Sequence, residues 1–304
     1  MPEVPIVAVV GATAAGKTGL SLDLAERLGG EVVNTDAMQV YRGMDLGTAK
    51  LPPGERRGIA HHLLDTHDPS EALTVAEFQG EARAVVAALR ARGVVPVLVG
   101  GSALYTRAVL DRFEFPGTDA GLRRQLEEQL DEVGVAAMHA RLTEVDPAAA
   151  ERIQPDNARR IVRALEVVEL TGRSFTASLP RLEYVDPATV QVGVAVDRPT
   201  LDARIAERVR RMYDDGLVEE VARLLDRWGT LGPTAATAIG YREAAARLAG
   251  ELTREQAVER TTTATRRFAR RQESWWRKDP RITWVDHDDP DRCGRAVEAV
   301  EKVR

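Results

Sequence analysis

The sequence predicts an α/β protein: a mainly parallel sheet flanked by helices, with a small helical insertion. Three observations carry this. Apolar runs at residues 6–10, 94–99 and 190–196 read as buried strands. Strand-like and helix-like segments alternate through the first third, as in a parallel sheet covered on both faces. Residues 119–173 then read as helices with no strand-like run.

Taken in order, the first strand covers 6–10 and leads through a glycine loop into a helix at 19–28. A second short strand at 31–35 ends at Asp36. Residues 77–92 read as a helix, with Phe78, Val85, Val86 and Leu89 apolar and Gly93 stopping it. The third strand, 94–99, runs into Gly100 and Gly101. From about Phe113 the pattern changes. Helices are expected at 122–133, 135–144, 148–153 and 157–171, punctuated by Pro116, Pro147 and Pro155. Residues 190–196 return to strand, and the rest reads as largely helical, from 201 to 228 and again through an arginine-rich stretch. The expected division is a core of 1–112 and 187–304 with an insertion domain at 113–186. Ligands of such sheets gather at the carboxyl ends of the strands. Residues after Val10, Thr35 and Val99 should therefore converge.

The loop after Val10 reads Gly11-Ala12-Thr13-Ala14-Ala15-Gly16-Lys17-Thr18. Strand, glycine loop and helix together form a P-loop, so the core is P-loop NTPase-like. Its glycines let the backbone curl, its amides and helix N-terminus face an anion, and Lys17 adds a cation. Thr18 offers a hydroxyl for Mg²⁺. This pattern specifies a diphosphate group without specifying ATP. A Walker-B aspartate is missing, since Val99 runs directly into Gly100, Gly101 and Ser102. Ser102 is expected to touch the diphosphate or the group leaving it.

Asp36, at the end of the second strand, faces the P-loop as a general base or hydroxyl ligand, with Gln39 and Tyr41 as further lining. Arg204 and Arg208 lie four apart, so either could clamp phosphate. His61, His62 and His67 stand near Asp65 and Asp68, but without a recognisable metal-ligand spacing. Trp275 and Trp276 are candidates for base stacking or for the core.

Composition sets limits. The chain has 304 residues, 44% hydrophobic and 29% charged, as in an ordinary globular protein of about two domains. Cys293 is the only cysteine, which excludes an internal disulfide and a cysteine-rich zinc site. There is neither a membrane-length apolar run nor a signal-peptide pattern, so a cytoplasmic protein is expected. The net charge of −5 is not that of a protein coated in nucleic acid. RNA contact would need local basic patches. Two exist: Arg152, Arg159, Arg160 and Arg163; and the run from Arg254 through Arg260, Arg266, Arg267, Arg270, Arg271 and Arg277 to Lys278.

These residues resemble one family along essentially the whole chain, the tRNA dimethylallyltransferases. The resemblance rests on the P-loop, on residues 34–50 (NTDAMQVYRGMDLGTAK), on His61 to Asp65, and on Asp68-Pro69. It continues through residues 98–105, 160–166, 239–242 and 265–272. It implies transfer of a dimethylallyl group from dimethylallyl diphosphate to N6 of adenosine-37, in tRNAs reading codons that begin with U. It implies Asp36 as base, Lys17, Arg208 and Ser102 as catalytic partners, and Gly11 to Thr18 as the diphosphate loop. Ser102 stands where the family often has threonine. Mg²⁺ is the implied cofactor, with Thr18 as its protein ligand. The tRNA anticodon stem-loop is the implied partner. It would be contacted by Asp36, Ala37, Met38, Gln39, Ser102, Arg123, Arg159, Arg160 and Arg163. Gly240, Tyr241, Arg242, Arg267, Arg270 and Arg271 complete the implied contacts. A monomer without membrane association is expected. Rival readings are a P-loop small-molecule kinase, an adenylate prenyltransferase acting on free nucleotide, and an RNA-binding module with a vestigial P-loop.

Overall fold

Parallel pairing organises the core. The computed structural model describes residues 3–113, 115–175 and 182–303. Residues 114 and 176–181, within the expected insertion, lie outside the described residues. The chain forms two compact units: Met1–Leu110 with Tyr184–Arg304, and Asp111–Glu183.

In the first unit, β1 (Ile6–Val10), α1 (Lys17–Leu28), β2 (Gly30–Asn34), β3 (His61–His62), α2 (Val75–Ala91), β4 (Val95–Val99) and α3 (Ala103–Leu110) follow one another. The second unit holds α4 (Ala120–Val145), α5 (Pro147–Ala150) and α6 (Ala158–Thr171). The first unit then resumes with β5 (Thr189–Ala195), α7 (Arg198–Asp214), α8 (Leu217–Trp228), α9 (Tyr241–Leu248) and α10 (Arg254–Trp276). It closes with β6 (Ile282–Asp286) and α11 (Arg292–Glu301). The sheet order is β3-β2-β4-β1-β5-β6, and all five pairings are parallel.

β1 lies inside the sheet, with β4 and β5 on either side, and every residue of it is buried. That explains its unbroken apolar run: a strand covered on both faces has no polar side. The crossovers leaving the neighbours β1 and β4 run to opposite sides, toward β2 and β5, which puts a crevice at their carboxyl ends.

Several elements depart from the sequence expectation. Residues 201–228 form two helices, because Gly216 adopts φ 99° and turns the chain between α7 and α8. Within α4, Gly134 at φ 80° and ψ 164° breaks the helical path between the two segments read there. The last part of the chain is not all helix: β6 extends the sheet at an edge, with Ile282 and Val285 buried. The two-residue β3 is too short to leave a periodic signal.

The second unit has its own core of Leu126, Met138, Leu142, Ile153, Ile161 and Leu165. Beside it Glu166 is fully buried. Arg123 donates to it, Arg163 donates at 2.7 Å, and the Asp119 amide donates at 3.1 Å. Burial opposes the charge on Glu166, yet the two guanidiniums hold its pKa below the usual range.

Candidate active site

The loop leaving β1 curls through Gly11 at φ 134°, Ala14 at φ 64° and Gly16 at φ 99°. A side chain on Gly11 would sit 3.1 Å from the Val194 carbonyl, so the loop must pass close against β5. Lys17 folds back and donates to the Ala12 carbonyl at 2.7 Å. Its ammonium is drawn down to about 8, first by burial and then by nearby Arg208, while Asp36 opposes the shift. Arg208, from α7, donates to the Thr13 hydroxyl at 3.3 Å. Burial lowers its pKa, and Arg211 adds to the effect.

Asp36 follows β2. Asn34 fixes the turn by accepting from the Asp36 amide at 2.9 Å and donating to the Asp36 carbonyl at 3.1 Å. The Met38 amide donates to the Asp36 carboxylate at 2.9 Å. Burial pushes the Asp36 pKa up, against the Met38 amide, Lys17 and the Gln39 amide. A carboxylate raised in this way is a better proton acceptor than an exposed aspartate.

The loop after β4 is Gly100-Gly101. A Cβ on Gly100 would lie 2.6 Å from the Thr35 carbonyl carbon and oxygen. The missing side chain lets the β2 and β4 loops touch, with the Thr35 amide donating to the Val99 carbonyl at 2.8 Å. Gly100→Ala is therefore expected to cost ~1–3 kcal/mol of stability through overpacking, measurable by denaturant melting. An unchanged midpoint would mean that the loops part freely.

Together these loops wall a cleft that is open to solvent. Thr13, Ala14, Gly16, Lys17, Thr18, Asn34, Asp36, Gln39, Val99, Gly100, Gly101 and Arg208 line it. The three strand ends thus converge as expected. The cleft also takes in His61, Phe268 and Gln272, a residue to which the sequence reading gave no separate role. Gln272 reaches in from α10, accepts from the Thr13 amide at 2.9 Å and donates to the Gly101 carbonyl at 2.9 Å.

Other expected site residues lie elsewhere. Gly11 is packed on β5, and the Ala15 amide turns back to the Ala12 carbonyl, so these three support the glycine loop from behind. Ser102 is half-buried at the start of α3, where its carbonyl accepts from Thr106; the cleft wall there is Gly100 and Gly101. Ala37 and Met38 pack against the core beside the cleft. Tyr41 is wholly buried and does not line the cleft.

Among the residues expected at RNA, Arg123 and Arg163 turn inward to Glu166, and Arg163 also holds the Pro116 carbonyl at 2.7 Å. Arg159 and Arg160 are exposed on α6. Tyr241 is 1% exposed and donates to Glu220 at 2.6 Å. The phenol thus helps hold α9 to α8. Gly240 starts α9 at φ 94°, and Arg242 is exposed beside Glu243. On α10, Arg267, Arg270 and Arg271 are exposed. Trp276 is buried, whereas Trp275 is 52% exposed on the same helix. Arg204 meets His287, so Arg208 is the arginine at the loop.

The histidines divide three ways: His61 bonds the Ile59 carbonyl, His62 meets Glu31, and His67 meets Glu81. Among the described residues there is no group of three His, Cys, Asp or Glu that could hold a metal. Thr18, at the start of α1, and Ser21 are the α1 hydroxyls that line the cleft, and Ser21 is engaged with the Thr18 carbonyl at 2.8 Å. That fits Mg²⁺, which keeps several waters and takes most of its other ligands from a substrate's phosphates.

Residues 39–279 match the family model described as IPP transferase. A tRNA dimethylallyltransferase from a Nocardioides species is 69% identical over 97% of this chain and 96% of its own length. The solved tRNA isopentenylpyrophosphate transferase of Bacillus halodurans is 39% identical. The match covers 99% of this chain and 95% of that one, with a TM-score of 0.71. A eukaryotic dimethylallyltransferase, whose structure is described as acting on tRNA, is 28% identical with a TM-score of 0.81. That match covers 93% of this chain and 74% of the other. A family model spanning most of the sequence, and relatives this similar end to end, place the chain in the IPP transferase family.

Proposed function

We propose that this enzyme transfers the dimethylallyl group of dimethylallyl diphosphate to N6 of adenosine-37 in tRNAs reading codons that begin with U. It acts as a monomer with Mg²⁺. One observation carries the reading: a half-buried carboxylate, Asp36, its pKa raised by desolvation, shares a cleft with a complete P-loop, Lys17 and Arg208, and the adjoining strand ends without an acid.

The chemistry needs both halves of that arrangement. The N6 lone pair is delocalised into the adenine ring, so the amine is a weak nucleophile. As N6 attacks the allylic carbon, the carbon–oxygen bond to diphosphate breaks and its electron pair leaves with the diphosphate. Asp36 accepts the N6 proton as the new bond forms. Lys17, Arg208 and the loop amides face the charge that grows on the departing oxygens. Thr18 would hold Mg²⁺, which adds further positive charge against the diphosphate when bound. The P-loop thus grips a leaving group, and no phosphoryl group moves.

For the acceptor, the exposed Arg267, Arg270 and Arg271 on α10 offer backbone contacts to RNA. The target base must be turned out of its stack, at a cost of a few kcal/mol that is smaller in an open loop. tRNA affinity is expected to fall as salt rises, because each arginine–phosphate contact releases counterions. Arg270→Ala with Arg271→Ala should flatten that dependence; a salt slope equal to wild type would remove these arginines from the interface.

The decisive experiment incubates the enzyme with unmodified tRNA, labelled dimethylallyl diphosphate and Mg²⁺, then maps the label by nuclease digestion. Label at adenosine-37 is the expected result. With AMP and ATP added to the same reaction, label on free adenylate instead would establish the nucleotide prenyltransferase, and consumption of ATP would point to the kinase. No helix among the described residues is long and apolar enough to cross a membrane.

A further inference from the structure

Gln272 plays no part in the chemistry above, yet it is 5% exposed and both ends of its carboxamide are engaged. Its two partners belong to different loops. Thr13 is on the loop leaving β1, and Gly101 is on the loop leaving β4. Gly101 is shaped to receive it: a Cβ there would fall 2.3 Å from the Gln272 amide nitrogen. Thr13 also binds Arg208 through its hydroxyl. One side chain therefore pins both lips of the anion cleft and, through Thr13, the position of a cleft arginine.

The chemistry of the carboxamide matters as well. Joining an amide N–H to a carbonyl oxygen takes one acceptor and one donor on the same small group, which Gln supplies. It is neutral, so it adds no negative charge where a diphosphate must sit. A carboxylate could accept from Thr13 but could not donate to Gly101.

We propose that Gln272 is a positioning residue for the prenyl donor: it sets the spacing of the two glycine loops, and with it the fit of the diphosphate. This deepens the function proposed above and rests on it for the identity of the donor. The same helix supplies an internal control, because Arg270 and Arg271 face solvent while Gln272 faces the loops.

Gln272→Met keeps the buried volume and removes both hydrogen bonds. It is expected to weaken binding of inorganic diphosphate with Mg²⁺, measured by calorimetry, by about tenfold. The KM for dimethylallyl diphosphate should rise in step, with tRNA affinity within about twofold of wild type. Gly101→Ala, which crowds the carboxamide out, should produce the same loss. Combined with Gln272→Met it should add little, as for two changes to one contact.

Diphosphate affinity equal to wild type in Gln272→Met would overturn the proposal. So would a parallel fall in tRNA affinity, which would mean that α10 had collapsed, or full additivity of the two substitutions. Diphosphate binding is read without turnover. A wild-type enzyme that binds diphosphate but leaves tRNA unlabelled would sink the proposed function and leave the Gln272 result standing.

Discussion

Asp36→Asn is expected to slow single-turnover transfer by ~10²–10⁴, the usual contribution of a positioned general base. tRNA affinity should stay within a few-fold. Asparagine matches the shape of aspartate, and its carbonyl oxygen can still accept from the Met38 amide that now binds Asp36 at 2.9 Å. The turn held by Asn34 should therefore survive, and a loss of rate reports chemistry instead of misfolding. Its neutral amide, however, cannot take the N6 proton. Equal turnover in mutant and wild type would give the proton to water and end the role assigned to Asp36. The elevated pKa supplies a second readout. Burial raises it above the ordinary aspartate range, so activity should fall on acidification while an exposed aspartate would still be ionised.

Lys17→Met should cost about 3–4 kcal/mol of transition-state stabilisation, or ~10²–10³ in kcat, as for removal of one strong donor to a developing anion. The wild-type pH profile tests the same group without substitution. In the donor-free enzyme, burial and Arg208 bring Lys17 to about 8. A lysine is charged below its pKa, so kcat/KM for the donor should fall as pH rises through that value. Once bound, the diphosphate's negative charge favours the ammonium and should carry the decline in kcat to higher pH. A kcat/KM profile flat up to about pH 9 would show that Lys17 remains charged or does not act on the donor.

How much of this was legible beforehand depended on where the signal lay. The P-loop was contiguous, and Asp36 followed a strand whose carboxyl end must face the crevice, so both could be placed from sequence. Direction was the difficulty elsewhere. Arg123, Arg163 and Tyr241 sit in motifs that resemble RNA-contacting segments, but each is turned toward a buried carboxylate, Glu166 or Glu220. Spacing does not report which way such a side chain points.

Gln272 lies 259 residues from Thr13, beyond any local pattern. A faint clue did exist. Ala257, Thr261, Ala269, Gln272 and Trp276 are the buried stripe of α10 at helical spacing, and a polar residue on such a stripe needs partners. β6 was missed because it is a short edge strand set between helices, and its two buried residues, Ile282 and Val285, lie three apart instead of alternating.

The donor set that steadies the departing anion has a cost at the end of the cycle. If the cleft holds the donor as proposed, free diphosphate would still present its oxygens to Lys17, Arg208 and the curled amides, and no acid at the end of β4 stands ready to repel it. On this reading, product escape competes with bond making as the slow event, and inorganic diphosphate is an inhibitor competitive with the donor. The cell's removal of that by-product would then set the enzyme's working pace.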